Sequence, residues 1–563
     1  MTGAEAGGSV SKDAVGEPTA RPSGTSPVAS TGDPNAGPRA GIVTATLTSA
    51  FAEAYRRFAD LPAVVEGPGA VCTYAELGSR ARRLAGGLAA LGMRPGDRAV
   101  VLTKNRPESF VIDHALAAGG FVRVALSYRL HPREVAQIAR DCGPAVAFVD
   151  GEREREVAAA LAEAGLDVAV VALDEPQGPV AARYGELLAH DELASPRVEP
   201  EDLAWLPYTS GTTGEPKGVM LSHRSLLACA RNLMVELPAI ETDDVVLHVA
   251  PLTHLSGYLG ITYAMRGAAQ VSLPEFDPEQ TLQAIGDHGA TVLPMVPTML
   301  NMMLPALESG RWRTDTLHTV LYGGSAIAPD RLTRLVACLG EVFVQAYGLT
   351  EIPFPLASLS KQAHRFDPGQ PPPARLASAG RVNPFVQVRL RTPAGADAAE
   401  GEEGEIQARG DTTMLGYWNR PEATREVLLE DGWAATGDVG RLQDGYLHIV
   451  DRKKDMIVSG GFNIFPGEIE NAISALPGVS EVAVIGVPDP RWGESVKAVV
   501  AVLDGHQVSE ADIEQVCRDR IAGYKRPRSV DFVPALPKTG SGKIQRHELR
   551  KRYWSDQDRR VGG

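Results

Sequence analysis

Residues 208–218 read YTSGTTGEPKG: Thr209, Ser210, Thr212 and Thr213 bring hydroxyls, Gly211 and Gly214 bring backbone freedom, and Lys217 brings a cation. Glycines let successive backbone N–H groups turn toward one anion, and hydroxyl donors with a lysine complete such a cradle. The chemistry that suits this composition is the holding of phosphate. A bare polar turn is the common fate of Gly/Ser/Thr runs, but here seven polar or glycine positions stand together beside a lysine. The stretch is not a Walker loop, G-x-x-x-x-G-K-[ST], because Gly211 and Gly214 are three apart and Pro216 precedes Lys217. PKTGSGKIQR (537–546) misses that pattern too, since Ile544 follows Lys543 and Pro537 stands five before Gly542.

A second set of candidate groups lies in QAYGLTE (345–351), where Tyr347, Gly348, Thr350 and Glu351 end a predicted strand. In open α/β sheets ligands bind beyond the carboxyl ends of strands. Tyr347 is suited to stacking on a base, Thr350 to donating to a phosphate, and Glu351 to holding Mg2+ against it. WAATGDVG (433–440) supplies Asp438, a carboxylate suited to two ribose hydroxyls, although an aspartate after glycine is by itself more often a turn residue.

Such groups need a scaffold. At 563 residues the chain exceeds what one hydrophobic core organises, so at least two domains are expected. Hydrophobic residues make up 44% and charged residues 22%, an ordinary globular balance, and the net charge of −14 argues against a general nucleic-acid binder. Any anionic ligand must then be met by a local arrangement of donors. Cys72, Cys142, Cys229, Cys338 and Cys517 have neither zinc-knuckle nor redox spacing and read as reduced thiols. No apolar run approaches the ~18 residues of a membrane span, and no hydrophobic signal segment is seen at the start, so a cytoplasmic protein is expected.

Residues 1–40, rich in Gly, Ala, Ser, Thr and Pro, are expected to form a disordered tail. Over 41–451, strands such as DRAVVLTK, AVAFVD, DVVLHVAP, HTVLYGG and EVFVQAYG alternate with helices such as TYAELGSRARRLAGGLAAL and HPREVAQIARDC. This predicts an α/β fold, a large body of parallel-rich sheets with helices. Beyond about residue 385, VQVRLRTP, GEIQARG and GYLHIVDRK predict a more antiparallel, β-rich subdomain. A small α+β unit is expected over 455–555, with a helix opened by the Ser509-x-x-Asp512 capping pattern, and 556–563 as a flexible tail. The run EREREV (152–157) reads as a solvated helix face.

Taken in order, YTSGTTGEPKG, QAYGLTE, GYWNRPEAT, GWAATGDVG, DRKKDMIVSGGFNIFPGEIE and PKTGSGKIQR resemble the motif set of the adenylate-forming superfamily, in its acyl-CoA synthetase branch. The resemblance covers nearly all of the chain after the tail. It implies ATP-dependent conversion of a carboxylic acid to acyl-AMP with pyrophosphate release, then transfer of the acyl group to the thiol of CoA. By the resemblance, residues 209–214 and Lys217 hold the β- and γ-phosphates, Thr350 contacts the α-phosphate and Glu351 holds Mg2+. Gly323, Gly324 and Ser325 approach the adenine and the acyl carboxylate, Tyr347 and Gly348 lie against the base, and Asp438 and Arg452 grip the ribose. Lys543 bridges carboxylate and α-phosphate, a task that suits a compact charge on a long stem. Lys454, in the link 452–454, is the implied hinge of a mobile C-terminal domain. That domain then offers Ser459, Gly460 and Gly461 to a pantetheine passage that side chains would block. Lys525 and Arg526 suit the phosphates of CoA or, equally, a solvated basic turn. Asp451, where relatives often carry glycine, and Thr253, where they often carry an aromatic, depart from the pattern.

Amino-acid-activating relatives place an aspartate in the acyl pocket, whereas HVAPLTHLSG offers His254 and no acid. An acid without an α-amino group is implied, with His254, Tyr258 and Ser325 as the candidate acyl-pocket residues. The expected partners are a small carboxylic acid and CoA, with a separate carrier protein as the alternative acceptor. An enzyme running chiefly one half-reaction is a further alternative. The chain is expected to work as a monomer or homodimer, without nucleic acid. A nucleotide-binding protein that had lost catalysis is disfavoured by the presence of Lys543, Glu351 and Asp438.

Overall fold

The computed structural model describes residues 45–66, 69–210, 216–325, 327–367, 370–452, 455–459, 462–538 and 544–554. The expected tails at 1–40 and 556–563 and the expected hinge Lys454 lie outside these residues.

Local chemistry explains how the elements begin. The helix Tyr74–Ala90 opens on Thr73, whose hydroxyl accepts from the Glu76 N–H while the Glu76 carboxylate accepts from the Thr73 N–H. Tyr74, Leu77, Ala81, Leu84 and Leu88 recur at three- and four-residue steps, and all are buried. Burying each leucine contributes on the order of 2 kcal/mol. The Tyr74 hydroxyl donates to the Ala268 carbonyl at 2.7 Å, fastening this helix to the chain entering a distant strand.

Two large sheets build the body. One runs in the order 381–382, 357–359, 343–347, 319–323, 292–295, 245–248, 269–272, 62–66, 69–73. Its centre is parallel and its edges antiparallel. The other has parallel strands at 122–126, 98–102, 146–149 and 169–172, and turns antiparallel where 216–222 pairs with 203–205, 208–210 and 416–417. Val320, Leu321 and Val344 have no solvent exposure, as expected of strands covered by helices on both faces. The parallel-rich α/β body therefore stands as expected.

Strands 386–391, 404–410, 434–443 and 446–452 form an antiparallel sheet. Beyond it a further sheet carries 462–464, 457–459, 493–502 and 479–489, with 529–532 parallel beside 493–502. Helices Pro466–Ser474, Glu510–Arg520 and Arg546–Lys551 accompany it, and the Ser509–Asp512 capping box forms.

One local expectation needs correction. In EREREV, Glu154 is wholly buried and accepts from the Gln177 N–H at 2.9 Å, while Arg153 donates to the Tyr128 and Leu130 carbonyls. Only part of that run is a solvated face, because the helical turn brings Glu154 and Val157 inward together. Between the glycine-rich stretch and the helix His223–Glu236 runs the strand Pro216–Ser222. Among the described residues no helix is long and apolar enough to cross a membrane.

Candidate active site

Parallel strands place their carboxyl ends along one edge of the sheet. Strands 319–323 and 343–347 are neighbours there, with Gly323 opposite Ala346, so the Gly323-Gly324-Ser325 segment and the Tyr347–Glu351 turn leave side by side. A Cβ on Gly323 would lie 2.5 Å from the Ala346 carbonyl oxygen, and one on Gly348 would lie 2.6 Å from the Phe354 Cα. Both turns therefore need glycine for close backbone approach. Gly324 and Ser325 are exposed, and Thr350 and Glu351 are half-buried.

Tyr347 does more than offer a ring. Its hydroxyl donates to Asp438 Oδ2 at 2.7 Å, and Arg452 Nε lies 2.9 Å from Asp438 Oδ1. Asp438 and Arg452 face each other in the register of strands 434–443 and 446–452, so one bond from Tyr347 joins the parallel sheet to the antiparallel one. Asp438 is only 3% exposed, and its amide donates to the Thr436 hydroxyl at 3.1 Å. Burial and the Asp438 carboxylate push the Tyr347 phenol well above its ordinary range, which keeps it a donor.

Glu351 Oε1 accepts from the Tyr417 hydroxyl at 2.8 Å, and the Lys217 ammonium stands 5.3 Å from the centre of the same ring. Val219 pairs with Tyr417, which brings Lys217 beside it, and Thr209 pairs with Lys217. Burial and then Glu351 push the Tyr417 phenol up, so it too remains a donor. Tyr417 was not among the sequence candidates; its only signal was membership of GYWNRPEAT. Ser210 pairs with Pro216 through the backbone. Gly211, Thr212, Thr213, Gly214 and Lys543 lie outside the described residues, as do Gly460 and Gly461.

The acyl-pocket candidates part company. His254 is exposed, at the start of the helix Leu255–Ala264, with its Nδ1 2.6 Å from the Thr253 hydroxyl. The segment before it is held from below. Asn105 donates to the Ala250 carbonyl and accepts from the Leu252 N–H, and Arg123 donates to the Leu252 carbonyl at 3.1 Å. Tyr258 is buried between Trp205 and Phe354, with ring centres 5.1 and 5.2 Å away. Phe354 follows the Glu351 turn, so Tyr258 reaches that turn through one aromatic neighbour.

Among the described CoA candidates, Ser459 and the turn that carries Lys525 and Arg526 approach the chain around strand 493–502. Ser459 pairs with Gly493, and the Arg528 N–H donates to the Val496 carbonyl. The Arg528 guanidinium lies 5.3 Å from the Trp492 ring. Lys525 is ion-paired to Glu468, and Arg526 Nε is buried without a hydrogen-bond partner among the described residues.

Among the described residues no group of three or more His, Cys, Asp or Glu could form a metal cage. A lone carboxylate such as Glu351 matches the way Mg2+ is usually held, by one or two carboxylates together with substrate phosphates.

Comparison with known proteins accords with this geometry. The AMP-binding enzyme signature matches residues 51–418, and the signature of the AMP-binding enzyme C-terminal domain matches 468–543. A feruloyl-CoA synthase from Amycolatopsis is 40% identical over 491 residues, covering 86% of this chain and 94% of that protein. A fatty acid–[acyl-carrier-protein] ligase from Streptomyces coeruleorubidus is 36% identical over 503 residues, covering 88% of this chain and 94% of its own. Among solved structures, ATP-bound MatB from Rhodopseudomonas palustris superposes with a TM-score of 0.79 at 31% identity, over 90% of this chain and 99% of that one. With its strand-end turns, its two tyrosine–carboxylate pairs and both signatures in order, this chain belongs to the AMP-binding enzyme family.

Proposed function

We propose that the protein is an AMP-forming acid–CoA ligase that activates a carboxylic acid lacking an α-amino group. The observation that carries this reading is the convergence around the carboxyl end of strand 343–347 of Lys217, Tyr417 and Glu351 with Tyr347, Asp438 and Arg452, in a chain that shares 40% identity with a feruloyl-CoA synthase. The carboxylate oxygen attacks the α-phosphorus of ATP, and the bond to the bridging oxygen breaks, releasing pyrophosphate. The thiol sulfur of CoA then attacks the acyl carbon, AMP leaves as the anion, and the thiol proton passes to solvent. Lys217 is assigned to the terminal phosphates, Asp438 and Arg452 to the ribose, Tyr347 to the face of the base and Thr350 to the α-phosphate. Glu351 would hold Mg2+, which when bound offsets phosphate charge; Tyr417 fixes the orientation of that carboxylate. Ser459, Lys525 and Arg526 are assigned to CoA. For Lys525 this requires exchanging its Glu468 partner for a phosphate. A carrier-protein thiol is the competing acceptor, as the likeness to the carrier-protein ligase suggests.

Acid-dependent pyrophosphate release across a panel of carboxylic acids, followed by product analysis with CoA or a phosphopantetheinylated carrier, tests the whole reading. No release with any acid would overturn it. Within the same assay Lys543→Ala should lose ~10²–10³ in acyl-AMP formation, the usual cost of one preorganised charge contact. It should still convert presynthesised acyl-AMP and CoA. Equal loss in both half-reactions would remove the assignment of Lys543 to adenylation alone.

A further inference from the structure

Asp141 stands at the last turn of the helix Pro132–Cys142, far in sequence from every motif above. Its carboxylate is the meeting point of two segments that flank the phosphate-side groups. Oδ2 accepts from the Tyr208 hydroxyl at 2.6 Å, and Oδ1 lies 3.2 Å from Arg420 Nη1. Its main-chain carbonyl accepts from Trp418 Nε1 at 3.1 Å and from Asn419 Nδ2 at 3.3 Å. Tyr208 pairs with Gly218, the neighbour of Lys217, and Trp418 follows Tyr417, with its N–H donating to the Gly218 carbonyl at 2.8 Å.

The helix end is itself held firmly. Arg98 donates to the Cys142 and Gly143 carbonyls, both at 2.7 Å, and its guanidinium lies 5.5 Å from the Trp418 ring. Asn419 takes a left-handed conformation, φ 53°, in which its side chain bonds the Asp141 carbonyl. Asparagine occupies that conformation more readily than other non-glycine residues. An open cleft of about 260 Å³ beside these groups is lined by Ile138, Arg140, Asp141, Tyr208 and Arg420 among others, and the Tyr208 and Trp418 rings pack against the buried cluster that holds Ile138 and Leu206.

We propose that Asp141 is a positioning residue for the Lys217–Tyr417–Glu351 array: it ties strand 208–210, which pairs with 216–222, to the segment that follows strand 416–417 by gripping Tyr208 on one side and Arg420 on the other. This inference rests on the proposed function only in assigning that array to ATP. The mechanism is geometric. Loss of the carboxylate releases two anchors at once, while the bonds from Trp418 and Asn419 to the backbone carbonyl survive. The strands should stay paired, yet Lys217 and Tyr417 should lose their fixed relation to Glu351.

The experiment compares wild type, Asp141→Ala, Tyr208→Phe and the double variant. MgATP affinity is read by calorimetry, KM for ATP and kcat by acid-dependent pyrophosphate release, conversion of presynthesised acyl-AMP with CoA separately, and thermal melting in parallel. Asp141→Ala should weaken MgATP binding and raise its KM about tenfold, the size of a lost charged anchor, with acyl-AMP conversion within about twofold of wild type. Tyr208→Phe should move the same quantities less. The double variant should be no worse than Asp141→Ala alone, because the bond that Tyr208→Phe removes is already lost in Asp141→Ala. Unchanged MgATP affinity in both single variants would overturn the proposal. So would equal loss in both half-reactions tracking a fall in melting temperature, which would make Asp141 a purely structural residue. Wild type that binds MgATP but releases no pyrophosphate would sink the ligase reading alone, leaving the affinities to decide the role of Asp141.

Discussion

In the proposed nucleoside site, Tyr347, Asp438 and Arg452 come from two different sheets and close directly on one another, whereas in the proposed phosphate site Lys217 and Glu351 are related through the ring of Tyr417. The buried Asp438 already accepts from a phenol and a guanidinium. The half-buried Glu351 accepts from one phenol. A buried carboxylate surrounded by protein donors is an anchor of the fold, because removing it strands its partners. A half-buried carboxylate oriented by one phenol keeps more of its capacity for what arrives from solution. The two regions should therefore answer mutation differently, the one through stability and binding together, the other through chemistry.

Glu351→Gln should produce the largest effect. Acyl-AMP formation should fall ~10²–10³, the range for loss of one preorganised electrostatic contact, with melting close to wild type. Pyrophosphate-release kinetics over a Mg2+ series, together with a thermal melt, check this. A comparable fall in stability would erase the contrast with Asp438.

Asp438→Ala should come next. It leaves the Tyr347 hydroxyl and the Arg452 guanidinium without their shared acceptor, at about 1–3 kcal/mol of stability, with a rise in KM for ATP beyond any change in kcat. Denaturant titration and steady-state kinetics on the same preparation read both quantities. A change in KM without loss of stability would make Asp438 a ligand group like Glu351.

The smallest effect concerns Asp451, just before Arg452. Burial pushes its carboxyl up to about 6, against the lowering influence of Arg546 and of the N–H groups of Gly467 and Arg452 that it accepts from. Between its unfolded value, about 4, and its folded value the native chain holds a proton that the unfolded chain has released. Stability from this group is present at low pH and lost as pH rises through the folded value. Asp451→Asn removes one acceptor at every pH, a constant that cancels when two pH values are compared. Relative to wild type the variant should therefore gain about 1–2 °C in melting temperature between pH 5 and pH 8. A difference independent of pH would show that the Asp451 carboxyl does not titrate in this window.

Much of the scaffold was legible in the residues alone. Continuous apolar runs such as ATVLPMV and HTVLYGG can be satisfied only by covering both faces, and they became neighbouring parallel strands at 292–295 and 319–323. Ser509 and Asp512 announced a helix start because a cap is a contact between residues three apart. Glycine-bearing turns after strands located the Gly323 and Gly348 segments, since close approach to backbone excludes a Cβ. The tertiary structure alone decided which polar groups meet. Tyr417 reaches Glu351 across 66 residues, Tyr347 reaches Asp438 across 91, and Asp141 holds Tyr208 across 67. Strand 216–222 was not among the predicted strands, because PKGVMLS carries no clean alternation of its own and one of its partners, 416–417, is remote in sequence. Propensity and capping act between near neighbours and can be read along a chain. Hydrogen-bond partnership between side chains depends on sheet order and strand register, which exist only after the chain has folded.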